Sequence, residues 1–281
     1  MESSSEQSGQ YDGARSPDLT AFASRHALVT GGSSGIGLAV VRLLVEAGAR
    51  VSVLALDDAD LMHFATPPYD RASVVPTDVA WRDEVFAGVA RAERERGPAD
   101  LVVTCAGVVR PGYFTELDLG EHEREMNINY FGTLWTIRAA APAMMARRRG
   151  AIMAISSFAG LVGPFGYSAY SPSKFAVRGL CECLRAELKP RGVHVGCVFP
   201  PDTDTPQLAG ELPLKPPEAQ GSSLLPTLSA QEVALAVLRG ALRRSARVYP
   251  GRRTPAYARA VLALPGVTEV VMDRDVARAS R

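Results

Sequence analysis

Six short apolar runs, alternating with stretches of helical spacing, constrain what this chain can fold into more than any other feature. The runs are "HALVT", "RVSVLAL", "ASVVPTDV", "DLVVTCAG", "AIMAISS" and "VHVGCVF". The helical stretches include "IGLAVVRLLVEAGA", "WRDEVFAGVARAERERG", a long region from Leu117 to Arg148, and "YSAYSPSKFAVRGLCECLRAELKPRG". A half-exposed strand alternates apolar and polar residues, whereas continuously apolar runs need cover on both faces. Parallel strands joined by helices supply that cover, with right-handed crossovers. The expectation is one doubly wound α/β domain, a parallel sheet of about seven strands with helices on both faces. The last strand would be "ARVYPG".

Residues 1–23 are polar and read as a disordered tail; they hold no apolar stretch of the kind a secretory signal needs. Residues 24–252 form the expected domain, and 253–281 a helical extension. Within the domain, 202–228 are rich in Pro, Gly and Ser and read as a mobile lid. The helix after it opens with a capping box, Ser229 and Glu232. No run reaches the ~18 apolar residues of a spanning helix. The nearest, Ala256 to Met272, is broken by Arg259, Pro265 and Glu269.

With 31 basic and 30 acidic residues the net charge is +1, which argues against nucleic acid as a partner. The four cysteines have neither zinc-ligand nor disulfide spacing, pointing to a reducing, cytoplasmic setting and to no metal.

In an open parallel sheet, ligands bind beyond the carboxyl ends of the strands. After the first strand stands "TGGSSGIG", in which Thr30, Gly31, Ser33, Ser34, Gly35, Ile36 and Gly37 would bring backbone and a helix N-terminus against a pyrophosphate. Leu56 and Asp57 close the second strand, Asp78 and Val79 follow the third, and Cys105, Ala106 and Gly107 follow the fourth. Asp78 would serve equally well as a helix cap. Ser156 and Ser157 follow the fifth strand. On the next helix Tyr170 and Lys174, four apart, share a face. A lysine ammonium within about 4–6 Å of a phenol lowers its pKa and fits it for acid–base work. The bland alternative for that pair is a solvated helix face.

Taken together and in this order, TGxxxGxG, Asp78, the NxxG of "NYFG" (Asn129, Gly132), Ser157 and YxxxK resemble the short-chain dehydrogenase/reductase family over roughly residues 24–250. The resemblance implies a Rossmann-like fold, a nicotinamide cofactor and ketone reduction. Tyr170 would be the proton donor and Lys174 its partner at the nicotinamide ribose. Ser157 would orient the carbonyl, and Asn129 would support a proton-relay water. It also implies a homo-oligomer, a dimer or tetramer, through the helices at Leu117–Arg148 and Ala169–Pro190. Two departures stand out: "TCAG" where the family has NNAG, and Pro201 where it has glycine after the sixth strand.

From about Gly166 to Pro217 the sequence resembles one branch of that family, the 3-ketodihydrosphingosine reductases. The implied substrate is a small-molecule ketone, a long-chain amino ketone; the alternatives are a reductase or dehydrogenase of this family for another lipid or secondary-metabolite ketone, and a non-catalytic dinucleotide-binding module. Pro200, Thr203 and Thr205 would border the nicotinamide, and Asp202 or Asp204 would pair with the substrate ammonium. Alternatively those aspartates cap the lid's first turn. Leu208, Leu212, Leu214, Leu224 and Leu225 would cover the alkyl chain or pack on the domain. The C-terminal segment would dock on the domain or touch a membrane surface. The branch implies NADPH; Asp57 and Asp58, close to where a 2′-phosphate would lie, favour NADH.

Overall fold

The computed structural model describes residues 18–56, 71–220 and 225–279. The chain runs β1 (His26–Thr30), α1 (Gly35–Glu46), β2 (Arg50–Ala55), β3 (Ala72–Pro76), α2 (Arg82–Arg96) and β4 (Leu101–Thr104). It continues through α3 (Leu119–Glu125), α4 (Gly132–Ala146), β5 (Gly150–Ile155), α5 (Tyr170–Leu188) and β6 (Val193–Val198). The remainder is β7 (Thr203–Asp204), α6 (Pro206–Glu211), β8 (Leu228–Ser229), α7 (Ala230–Arg243), β9 (Arg247–Val248), α8 (Thr254–Ala263) and α9 (Pro265–Ala279).

Seven strands form one parallel sheet in the order β3-β2-β1-β4-β5-β6-β9, as the apolar runs predict. Both faces of the sheet are buried, which is why the strands show no polar alternation. In β1, Val29 faces a core shared with α1 and α7, while its neighbour Leu28 faces one shared with α2, α4 and α5. The strand order reverses direction between β1 and β4. At such a switch point the loops diverge and open a crevice over the carboxyl ends.

Three segments differ from expectation. The tail boundary at residue 23 falls too late: Leu19–Phe22 form a 3₁₀ turn, and Phe22 is buried in the core beside α1. The region 117–148 is interrupted, since Met126–Phe131 form a π-helical turn between α3 and α4. That wide turn carries Asn129, and such turns accompany functional positions. The lid has regular structure despite its composition. Thr205 caps α6, accepting from the Leu208 amide at 3.3 Å, and Pro206 takes the first helical position, where no amide donor is missed. Thr203 pairs with Leu228 across β7 and β8. The capping box of Ser229 and Glu232 starts α7 as its sequence predicts. The C-terminal extension is helical, and α9 lies against the 3₁₀ turn Pro217–Ala219 of the lid.

Candidate active site

The crevice over β1 and β4 continues into a cavity of about 1010 Å³ that runs under the lid. Part of its lining is the glycine loop. Gly31 and Gly35 have φ of 64° and 51°, a region that favours residues without a side chain. A Cβ at Gly37 would lie 2.1 Å from the Gly31 carbonyl oxygen, so the turn closes only because that carbon is absent. Ser34, the N-cap of α1, makes no side-chain capping bond, which leaves the first amides of α1 to a ligand. Gly31, Ser33, Ser34, Gly35, Ile36 and Gly37 all line the cavity. These features fit the pyrophosphate of a dinucleotide.

Leu56, Asp78 and Val79 line the same cavity. Asp78 also accepts from the Ala80 amide at 2.9 Å, so it shapes its own turn while facing the cavity. Val79 packs against the start of α4, where a Cβ at Gly132 would come within 3.0 Å of it. Asp57, Asp58 and Leu224 lie outside the described residues.

Thr30 does not reach the cavity wall. It is buried, and its hydroxyl accepts from the Ala106 amide at 3.3 Å, tying the first loop to "TCAG". Cys105, Ala106 and Gly107 do line the wall. Burial pushes the Cys105 thiol up to about 12, which keeps it neutral at this surface.

Ser157, Tyr170 and Lys174 line the same cavity. Lys174 donates to the Ile155 carbonyl at 3.2 Å, and its ammonium lies 5.4 Å from the centre of the Tyr170 ring. Burial holds the Lys174 pKa down to about 8. The expectation that Lys174 brings the phenol pKa down is corrected here. Burial raises Tyr170 above its ordinary value; a hydrogen bond with Ser157 opposes this, and the charges of Glu211, Glu125 and Asp202 add to it. The result is a neutral phenol, the form that gives a proton.

Asn129 is fully buried behind this group rather than on the cavity wall. Its side-chain oxygen accepts from the Val108 amide at 2.8 Å, and its nitrogen donates to Val108 O and Ser173 Oγ, both at 2.9 Å. A Cβ on Gly107 would lie 3.1 Å from Asn129 Oδ1 and 3.3 Å from Lys174 Nζ, so both polar groups converge on that glycine.

After β6, Pro200, Thr203 and Thr205 line the cavity. The two hydroxyls donate to backbone carbonyls, Thr203 to Pro201 at 2.9 Å and Thr205 to Thr203 at 3.1 Å. The two aspartates separate: Asp202 faces the cavity, whereas Asp204 is exposed on β7 and does not line it. Neither caps α6; Thr205 does. Of the lid leucines, Leu208, Leu212 and Leu225 line the cavity and Leu214 turns outward. Met272 and Val276 of α9 complete its wall.

Sequence reasoning missed four polar residues here. Glu125 is fully buried, with Oε1 accepting from the Arg110 amide at 2.6 Å and Oε2 without a partner among the described residues. Tyr167, Glu211 and Lys215 form a linked group on the lid side of the cavity. The four-residue spacing of Glu211 and Lys215 was a usable signal, hidden by the prolines around it.

The fold and this arrangement define a dinucleotide-binding oxidoreductase scaffold. Residues 25–213 match the short chain dehydrogenase family, and the chain belongs to it. That family takes NAD(H) or NADP(H). A 3-dehydrosphinganine reductase of Danio rerio is 40% identical over 204 residues, 69% of this chain and 61% of that protein. A 3-ketodihydrosphingosine reductase of Mus musculus is 39% identical over 214 residues, 73% of this chain and 64% of that protein. The chain therefore spans 61% and 64% of the length of these two curated relatives. The solved structure of gox2181 superposes with a TM-score of 0.72 at 29% identity, covering 80% of this chain and 91% of that one.

Proposed function

We propose that the protein reduces the ketone of a long-chain amino ketone, 3-ketosphinganine or a close relative, to a secondary alcohol. The observation that carries this reading is one cavity lined at once by the glycine loop, by Ser157, Tyr170 and Lys174, and by side chains of the lid and α9. Its lining joins a glycine cradle to apolar lid and α9 side chains and to acids that include Asp202 and Glu211.

A bound nicotinamide supplies the hydride to the carbonyl carbon. The chain supplies the rest. Ser157 donates a hydrogen bond to the carbonyl oxygen and fixes its direction. Tyr170 gives its phenolic proton to that oxygen as negative charge develops, so the product leaves as a neutral alcohol. Lys174, charged in the neutral range, stabilises the phenolate that remains until Tyr170 is reprotonated. Leu208, Leu212 and Leu225 keep water from the alkyl chain.

For the coenzyme we favour NADPH, on resemblance to the reductase branch and because Ala55 stands at the end of β2, where an acid would hold a free ribose hydroxyl pair. The proposal extends to a cytoplasmic homo-oligomer joined through α4 and α5, and to peripheral membrane contact. Leu264, Val267 and Val270, 56%, 58% and 51% exposed, support that contact. Among the described residues no helix is long and apolar enough to cross a membrane. The deciding experiment offers 3-ketosphinganine with NADPH and with NADH and follows coenzyme oxidation. Oxidation with one coenzyme supports the reading and names the coenzyme. Binding of both without oxidation overturns the substrate assignment.

A further inference from the structure

Glu211 and Lys215 form an ion pair on the cavity wall, 3.0 Å apart, with side chains only 10% and 9% exposed. Such a pair is a weak stabiliser, because both charges have left water and their attraction recovers that cost only in part. A lid that merely had to stay shut would be better served by apolar side chains. The setting of the pair gives it another use. Glu211 also accepts from the Tyr167 hydroxyl. The Tyr167 ring lies 6.1 Å from that of Tyr170. Lys215 Nζ lies 5.8 Å from the centre of the Tyr167 ring. A carboxylate is thus held one ring away from the proton donor, in a wall largely closed to water, with a lysine already in front of it.

Resting on the reductase reading above, we propose that Glu211 is the seat of the substrate ammonium and that Lys215 is the cation occupying that seat until the substrate arrives. A ketone oxygen held by Ser157 and Tyr170 has its neighbouring carbons directed along the wall that carries Tyr167. An ammonium on one of them exchanges with Lys215 Nζ. The carboxylate keeps a cation throughout, and no buried charge is stranded. A neutral ketone of the same length has nothing to exchange, so it leaves the lysine in place and gains no charged contact. Selectivity for an amino ketone then arises from the resident pair as well as from the new contact. Asp202 adds negative charge that acts on both Tyr167 and Tyr170, while the ion pair of Lys215 is with Glu211.

The test is calorimetric binding of 3-ketosphinganine and its desamino analogue to the wild type, Glu211→Gln and Lys215→Met. Glu211→Gln should weaken the amino ketone about tenfold, the loss of one charge-assisted contact, and leave the analogue unchanged. Lys215→Met should tighten the amino ketone several-fold, an effect that general damage to the lid does not imitate. Equal losses on both ligands, or weaker amino-ketone binding by Lys215→Met, would overturn the proposal. Turnover separates it from the reading it rests on. Selective binding of the amine with no reduction of either ketone keeps the seat and removes the reductase. Reduction of both ketones with equal binding keeps the reductase and removes the seat.

Discussion

At the scale of single residues, Tyr170 shows how much the surroundings decide. Four of the five causes acting on its phenol raise the pKa, and only Ser157 opposes them. A phenol held neutral is suited to giving a proton and poorly suited to taking one, which favours reduction over oxidation near neutral pH. Removing the hydroxyl in Tyr170→Phe should lower kcat by about 10²–10⁴-fold, the usual weight of a positioned acid. Coenzyme binding, followed by quenching of protein fluorescence, should stay within a few-fold. Lys174 sets a second expectation. With its pKa held down to about 8 by burial, its charge is present below that pH and lost above it. Reduction, measured as kcat/KM against pH, should therefore fall on a basic limb near pH 8. Glu125 raises the Lys174 pKa, so Glu125→Gln should move that limb to lower pH. A limb that stays in place would show that another group controls it.

At the scale of elements, the sequence was most legible where a residue's job is local. A glycine loop between a strand and a helix, a YxxxK pair on one helical face and a capping box are all written within a few neighbouring positions. The π-helical turn at Met126–Phe131 was not legible, because nothing in "MNINYF" separates a wide turn from an ordinary one. Long-range partnerships were equally hidden. Tyr167 meets Glu211 across 44 residues of sequence, and no local pattern announces that contact. Composition misled in the lid, where prolines that break regular structure in isolation instead start α6 and its neighbouring turns. The C-terminal extension contains α8 and α9, and the position of α9 at the cavity could not be read from sequence. Met272 and Val276 put α9 on the cavity wall, and a truncation tests what it does there. Ending the chain before Pro265 should raise KM for a long-chain ketone about tenfold, equivalent to two CH₂ groups losing burial at about 0.8 kcal/mol each. KM for a ketone of a few carbons should not change. Equal changes for both would mean that α9 supports the lid and does not contact the chain.

At the scale of the whole molecule, strand order explains why residues so distant in sequence share one cavity. The reversal between β1 and β4 collects the ends of β1, β4, β5 and β6 around one crevice, so every chemically useful loop belongs to a different βα unit. The same burial that builds the crevice leaves ionisable groups inside, and their effect on stability has a definite sign. His26, bonded to Gly97 O at 2.6 Å and Ser52 Oγ at 2.9 Å, is pushed down to about 4 by burial. Its contribution is present above its unfolded pKa near 6.5 and is lost as pH falls through about 4. Glu125 works the other way. Burial raises it from 4.5 to about 7. Its contribution is complete below 4.5 and is lost as pH rises through about 7. The groups facing it are Glu121, Arg124, Lys174 and the Arg110 amide, and the two cations and the amide offset only part of the burial. The loss amounts to at most about 3 kcal/mol, since one pKa unit corresponds to ~1.36 kcal/mol. Because His26 gains over much of the range in which Glu125 loses, denaturant unfolding should be compared between the wild type and Glu125→Gln: the wild type should decline relative to the variant between pH 5 and pH 8. Glu125→Gln has no charge to bury and keeps the His26 gain, so its stability should rise more steeply with pH than that of the wild type, whatever its absolute value. The slope, and not the midpoint at any one pH, identifies the buried carboxyl. If both proteins change stability in parallel across that window, the proton responsible sits elsewhere, and Glu125 must find a cation or water that holds it ionised.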